Sequence, residues 1–408
     1  MKASFCLSVG LIALIYSCST RAPQDLRPRP GEWELMFDIS QSGHQELIPI
    51  RLIIDSAGHF TILNNGEQIE LDSVEWAKSA FHVKMPLFQT FLDGKLAGDS
   101  VLTGRLTDPT RDSLYSIPFK AKYTGLRANP EDGLIERQIF EVTFSPDDTT
   151  ERYRAIGIFD FWDDHVSGTF LTEAGDYRFL QGKKVKDKLW LSCFDGSHLF
   201  YFEGTCRNDS IVDGSFFSGI HWSEPWEARK NDQASLRDPD SLTYILPGSG
   251  PFQFSATDFD GKLMQFDMSS FKNKVTVVQI FGSWCPNCSD ESLFLEGLHE
   301  EYKDKGLQVI PVAFERSNDL NENIEVIKSH VSDLKVNYPV FIGGNKSDAG
   351  KVFPMLNKVM SFPTILILDK RGQVRKIHTG FYGPSTGDYY LHYTDRLEMF
   401  ISQLLAED

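Results

Sequence analysis

The chain has 408 residues, of which 41% are hydrophobic and 24% charged, and carries a formal net charge of −16. That length accommodates two domains with cores of ordinary size, in a composition typical of soluble globular proteins. The acidity, with no basic stripe in the sequence, excludes a nucleic-acid partner, since neutralising phosphates requires clustered Lys and Arg.

Met1-Lys2 forms a short positive start, and Ala3 to Ile15 is nearly all apolar. The run is too short to span a bilayer but has the length of a signal-peptide core. It ends in Leu14-Ile15-Tyr16-Ser17-Cys18, which resembles a bacterial lipoprotein signal: an aliphatic residue three before a cysteine and a small residue just before it. The resemblance implies removal of residues 1–17 and a lipid on Cys18; the alternative is plain secretion with an incidental cysteine. Residues 18–30 are polar and proline-rich, a tether without apolar periodicity.

Residues 31–230 read as an all-β domain. Short apolar or alternating runs recur at Leu47 to Ile54, Phe60 to Leu63, Phe81 to Met85, Ile117 to Tyr123, Ile139 to Phe144, Lys188 to Cys193 and Leu199 to Phe202. Turn signals such as Asn64-Asn65-Gly66 and Asp93-Gly94 separate them. This pattern predicts an antiparallel barrel or sandwich. Phe91-Leu92-Asp93-Gly94 matches Tyr201-Phe202-Glu203-Gly204, and Gly98 to Leu102 matches Asn208 to Val212, both at one offset, so two similar halves are expected. Cys193 and Cys206 are expected to be free thiols, Cys193 facing about residue 198 across a hairpin. His198, His221 and Trp222 read as ordinary surface or hydrogen-bonded residues rather than a pocket.

Residues 231–250 are polar with Pro and Gly and read as a linker. From 251 to 408 the pattern changes. Val275 to Phe281 is a continuous apolar run broken only by Gln279, as in a strand buried on both faces. Ser289 to Lys305 has helical spacing, Leu307 to Phe314 is a second buried strand, and Asn323 to Val331 is helical. Thr364 to Leu368 and Val374 to His378 flank a turn as a hairpin, and Leu391 to Leu405 is an amphipathic last helix. Together these make an α/β layer fold.

Trp284-Cys285-Pro286-Asn287-Cys288 stands between the first buried strand and its helix. A zinc site would want a second C-x-x-C or an H-x-x-x-H pair, and the sequence has neither. At a helix N-terminus, free N–H groups favour the thiolate of Cys285. The dipole is worth roughly 0.3–1 kcal/mol. Lowering a thiol from about 8.5 to about 7 takes roughly 2 kcal/mol. The second thiol must therefore help, and Pro286 fits the first helical turn. Cys285 is read as the attacking nucleophile, Cys288 as the resolving thiol, Glu291 as its proton acceptor one turn on, and Trp284 as a shield at the rim.

With these residues, 251–408 resembles a TlpA/ResA-like thiol–disulfide oxidoreductase of the thioredoxin superfamily. The matching pieces are Phe254 to Lys262, Lys274, Phe281 to Cys288, Glu291 and Ser361-Phe362-Pro363-Thr364. The resemblance implies a thioredoxin-like fold, a cis Pro363 against the cysteines, Phe362 presenting backbone to a substrate peptide, and an inserted segment at 317–337. It departs from the family at Leu293, where a proline is common, and at Gln279, where thioredoxin has an acid. The Pro286-Asn287 dipeptide, which tunes the potential, is not thioredoxin's Gly-Pro. The implied function is reduction of disulfides in exported proteins by a Cys285/Cys288 cycle, without a cofactor or metal. The implied partners are a disulfide-containing protein, a membrane thiol reductase as electron donor, and the membrane through the lipid anchor, on the periplasm-facing side of the cell envelope. A peroxidase would need a threonine and a proline where Gly282 and Val278 stand. The alternative from another class is a binding or scaffold lipoprotein whose β domain captures a ligand or partner.

Overall fold

The computed structural model describes residues 27–40, 46–71, 73–125 and 134–407. Cys18 and residues 1–17, read above as a signal segment, lie outside these residues.

The first β unit comprises β1 (Gly31–Asp38), β2 (Leu47–Ile54), β3 (Phe60–Asn64), β4 (Glu67–Leu71), β5 (Glu75–Ala77), β6 (Ala80–Lys84), β7 (Phe91–Ala97), β8 (Val101–Thr107) and β9 (Ser116–Gly125). They form one antiparallel sheet in the order β4-β3-β2-β1-β9-β8-β7-β6-β5. Alternation places Trp33, Leu35 and Phe37 of β1 in the core.

The second unit comprises β10 (Glu136–Phe144), β11 (Tyr153–Trp162), β12 (His165–Thr172), β13 (Gly175–Asp176), β14 (Leu180–Val185), β15 (Lys188–Phe194), β16 (Leu199–Arg207), β17 (Ser210–Ser218) and β18 (Trp222–Lys230). It repeats the neighbour order of the first, but β12 pairs with both β11 and β14, so eight strands close into a barrel. Phe144, Phe170, Phe202 and Trp226 fill it. The sequence repeat falls on the hairpins β7–β8 and β16–β17. Their turns use Gly98 and Asn208, both at positive φ, where Gly and Asn are tolerated. The internal duplication is thus visible as a shared topology.

The two units share a core. Phe194, Leu199, Tyr201 and Phe217, from the outside of the barrel, pack into the first unit's cluster. The Asn64 amide exchanges bonds with the Phe194 backbone at 3.0 and 3.2 Å. Cys193 lies opposite Phe200 rather than residue 198, because the turn after it holds four residues. Cys206 lies opposite Ile211, and both thiols are free.

The C-terminal sheet runs β20-β19-β23-β22-β21-β24-β25. Its strands are β19 (Phe254–Thr257), β20 (Leu263–Phe266), β21 (Val275–Phe281), β22 (Leu307–Glu315), β23 (Phe341–Asn345), β24 (Thr364–Leu368) and β25 (Val374–Thr379). Only β21–β22 and β22–β23 are parallel. The helices are α1 (Met268–Phe271), α2 (Pro286–Tyr302), α3 (Leu320–Leu334), α4 (Ala349–Val352) and α5 (Asp388–Ala406). Val275 and Val277 of β21 face α2, α3 and α5, while Val278 and Ile280 face the layer holding Phe271 and Phe353. α3 occupies the expected insertion. Residues 231–250 lie against this domain: Asp240 bonds His378 Nδ1 at 2.6 Å and Lys376 at 2.9 Å.

Candidate redox site

β21 delivers the chain to the start of α2, and Cys285 is the N-cap of that helix. Pro286 occupies the first turn, where a missing N–H costs nothing. Cys285 and Cys288 form a disulfide with their Cα atoms 5.2 Å apart. The N–H of Cys288 points at Cys285 Sγ from 3.2 Å. A charge-assisted bond of this kind is worth about 1.5–3 kcal/mol, which supplies what the macrodipole alone lacks for a thiolate on Cys285. Cys285 is 6% exposed and Cys288 is fully buried, the order expected of attacking and resolving sulfurs.

The peptide bond Phe362–Pro363 is cis, and the Phe362 carbonyl lies 3.5 Å from Cys285 Sγ. Trp284 meets the Phe362 ring edge-on and donates its indole N–H to the Phe314 carbonyl at 2.9 Å. Asn287 turns its amide outward, to the carbonyls of Asp176 and Phe381 at 3.3 and 3.4 Å.

Glu291 is fully buried beneath the pair. Burial pushes its carboxyl up to about 8, against hydrogen bonds that favour the anion. Those come from Gln279 Nε2 at 3.0 Å and the Tyr393 hydroxyl at 3.5 Å. Gln279 also reaches the Cys288 carbonyl at 3.5 Å and accepts from Ser292 at 3.1 Å. Gln279, read above only as a lost acid, is therefore the residue that holds the acid supplied by α2.

Sequence reasoning missed Glu315. It ends β22 and accepts from the backbone N–H and the hydroxyl of Ser283, each at 2.8 Å, so it fixes the loop that carries Trp284. Burial raises it to about 7, against the Ser283 bonds. The signal was a carboxylate closing an apolar strand with no turn residue between. Arg316 and Lys346 stand over the Trp284 ring, each 5.4 Å from its centroid. Burial, then the neighbouring Arg111, bring Arg316 down to about 10.

The β domain also borders the site. Ser197 Oγ donates to the Trp284 carbonyl at 3.0 Å. Arg178, nearly buried, pairs with Asp290 of α2, with Glu67 at 3.0 Å and with Asp195 at 3.9 Å. Among the described residues, no cluster of His, Cys, Asp or Glu could hold a metal ion.

A buried central strand, a cysteine-capped helix and a cis proline against the sulfurs define a thioredoxin-superfamily domain. Residues 249–389 match the Redoxin family. The chain is 29% identical over 121 residues to the thiol-disulfide oxidoreductase ResA of Bacillus thuringiensis subsp. konkukian, covering 30% of this chain and 62% of that one. It is 29% identical over 128 residues to the thioredoxin-like protein YneN of Bacillus subtilis, covering 31% and 69%. A secreted thiol-disulfide isomerase from Corynebacterium glutamicum superposes with a TM-score of 0.32 at 18% identity, over 43% of this chain and 98% of that one. The chain thus spans less than two thirds of the ResA proteins it first matches. Residues 249–389 are thus TlpA/ResA-like in sequence, and the cysteine pair and cis proline fall within them.

Proposed function

We propose that the protein is a thiol–disulfide oxidoreductase that reduces disulfides of exported proteins, held at the periplasm-facing cell envelope by a lipid on Cys18. The observation that carries this reading is the cysteine pair at the N-terminus of α2, with one amide on the outer sulfur and a buried carboxyl of raised pKa one turn below.

The Cys285 thiolate attacks a substrate disulfide. A bond forms from Cys285 to one substrate sulfur, the substrate's own S–S bond breaks, and the leaving sulfur takes a proton. Cys288 passes its proton to Glu291 and attacks Cys285, which forms the internal disulfide and releases the second substrate thiol. Two electrons have left the protein, and an external dithiol, assigned to a membrane thiol reductase, restores them. Burial raises Glu291 to about 8, far nearer the thiol range than an exposed carboxylate, which makes it a stronger acceptor for the Cys288 proton. Trp284, Phe362 and Pro363 border the attacked sulfur, and Pro286 and Asn287 tune the potential.

The test is insulin reduction driven by dithiothreitol together with the reduction potential of the pair. Cys285→Ser is expected to abolish activity, and full activity in that variant overturns the proposal. A potential near or below roughly −230 mV supports a reductant, whereas roughly −120 mV makes the protein a disulfide donor.

A second reading, ligand capture by the β domain, is favoured by a cleft of about 570 Å³ between the two β units, lined by Trp162, Trp190, Arg51 and Gln181 among others. Its test is binding of small molecules or peptides to the full chain, with Trp190→Ala as the comparison.

A further inference from the structure

The segments that ring Cys285 are the residues through which a substrate must approach it: Trp284, Asn287, Ser361 to Pro363 and the stretch after β25. Each is already engaged by the β domain. The tip of the β12–β13 hairpin lies along them: Glu173-Ala174 make its turn and Gly175-Asp176 start the returning strand. The Ala174 carbonyl accepts from Ser361 Oγ at 3.4 Å, and the Asp176 carbonyl accepts from Asn287 Nδ2 at 3.3 Å. The Asp176 carboxylate takes the Gly383 N–H at 2.6 Å and the Ser385 hydroxyl at 2.8 Å. Gly175, at φ +145°, has no room for a side chain, because a Cβ there would strike the Asn287 amide. Gly380 approaches the turn so closely that a Cβ on it would lie 2.9 Å from the Glu173 carbonyl.

These are contacts of the kind a bound peptide segment makes in a groove: carbonyls accepting from side-chain donors, small residues at the crowded point, and one charged anchor. We propose that the groove beside Cys285 is a peptide-binding surface whose resting occupant is the chain's own 173–176 turn. A protein substrate must displace that turn. The groove fits a short hairpin tip or segment with a small residue at Asn287 and a carboxylate for Gly383 and Ser385. The turn therefore excludes bulky disulfides until the β domain shifts, while leaving small thiols a path to the sulfur.

This rests on Cys285 being the attacking sulfur, yet alkylation reports access to that sulfur whether or not the protein reduces disulfides. The experiment takes the reduced full chain and measures Cys285 alkylation by N-ethylmaleimide and by a maleimide carrying a large polyethylene glycol, read by mass on the peptide containing Cys285. Asp176→Ala is expected to raise the bulky-to-small rate ratio about tenfold, the factor corresponding to ~1.4 kcal/mol less closure. Ser385→Ala, which removes one of the two anchors from the other side, is expected to raise it less and serves if Asp176→Ala does not fold. An unchanged ratio in the folded variants overturns the proposal. A raised ratio with no insulin reduction by either form upholds the occluded groove and overturns the reductase reading instead.

Discussion

Gln279 Nε2 stands 3.0 Å from Glu291 Oε2, joining the centre of β21 to the second turn of the helix that bears the cysteines. Through this contact a neutral amide in the sheet steers a carboxyl from the helix, with both groups fully buried. Removing the carboxyl should slow the resolving step. Glu291→Gln is expected to lose roughly 10²-fold in that step at neutral pH, at the lower end of general acid–base contributions. The wild-type rate should climb as pH rises towards about 8, where Glu291 ionises, and the variant should lack that climb. Stopped-flow tryptophan fluorescence against pH checks both.

The same group sets a pH dependence of stability. Burial raises Glu291 from its ordinary 4.5 to about 8, so the folded chain holds a proton that the unfolded chain releases. This contribution is complete below about 4.5 and is lost as pH rises to about 8. Glu315, raised to about 7, acts in the same direction over a narrower window. Urea unfolding should show falling stability from pH 5 to pH 8, with a shallower fall in Glu291→Gln.

Cys288→Ser should arrest the cycle after the first exchange. A mixed disulfide between Cys285 and substrate is expected to accumulate on non-reducing gels and to vanish in the double variant with Cys285→Ser. Of the other described thiols, Cys193 is fully buried and burial pushes its thiol far up, while the half-buried Cys206 is raised less and is replaced by Ser as a control.

Arg178 is the cation at a junction of the first β unit, the barrel and α2. It faces Glu67, Asp195 and Asp290, and Asp176 adjoins it. Arg178→Met leaves these carboxylates buried without it, a change that costs about 3–5 kcal/mol in comparable buried ion pairs. Burial already raises Glu67 and Asp290, so part of the loss should return when the pH falls and they protonate. Unfolding of wild type and variant at pH 7 and pH 5 checks this.

The buried strand β21 and the cysteine-capped helix were legible because each rests on local pattern: a run of apolar residues, then a proline beside a cysteine. The last helix begins at Asp388 rather than Leu391, since its first turn is polar and carries no periodic signal. Short strands such as β19 and β20 are stabilised by partners distant in sequence and by stacked rings such as Phe254 on Phe266, which no window of residues reveals. The duplication showed where the hairpins kept their turn residues. Closure of only the second unit depends on the pairing of β12 with β14, a property of register rather than composition. Glu315 and the contacts of Ser197, Arg178 and Asp176 with the site are tertiary in origin and leave no spacing to read.

Asp290 pairs with Arg178 only two residues beyond Cys288, so the domain contact and the sulfur pair share the first turns of one helix. Thermodynamic reciprocity then applies. Whatever preference the β domain has for the dithiol or the disulfide appears as an equal shift in the potential of the pair. A tenfold tighter grip on the disulfide would make the full chain about 30 mV harder to reduce than a chain with its domains apart. Any such preference would make the midpoint of this redox centre a joint property of both domains, and a partner that pulls them apart would then change how strongly the cysteines give up electrons.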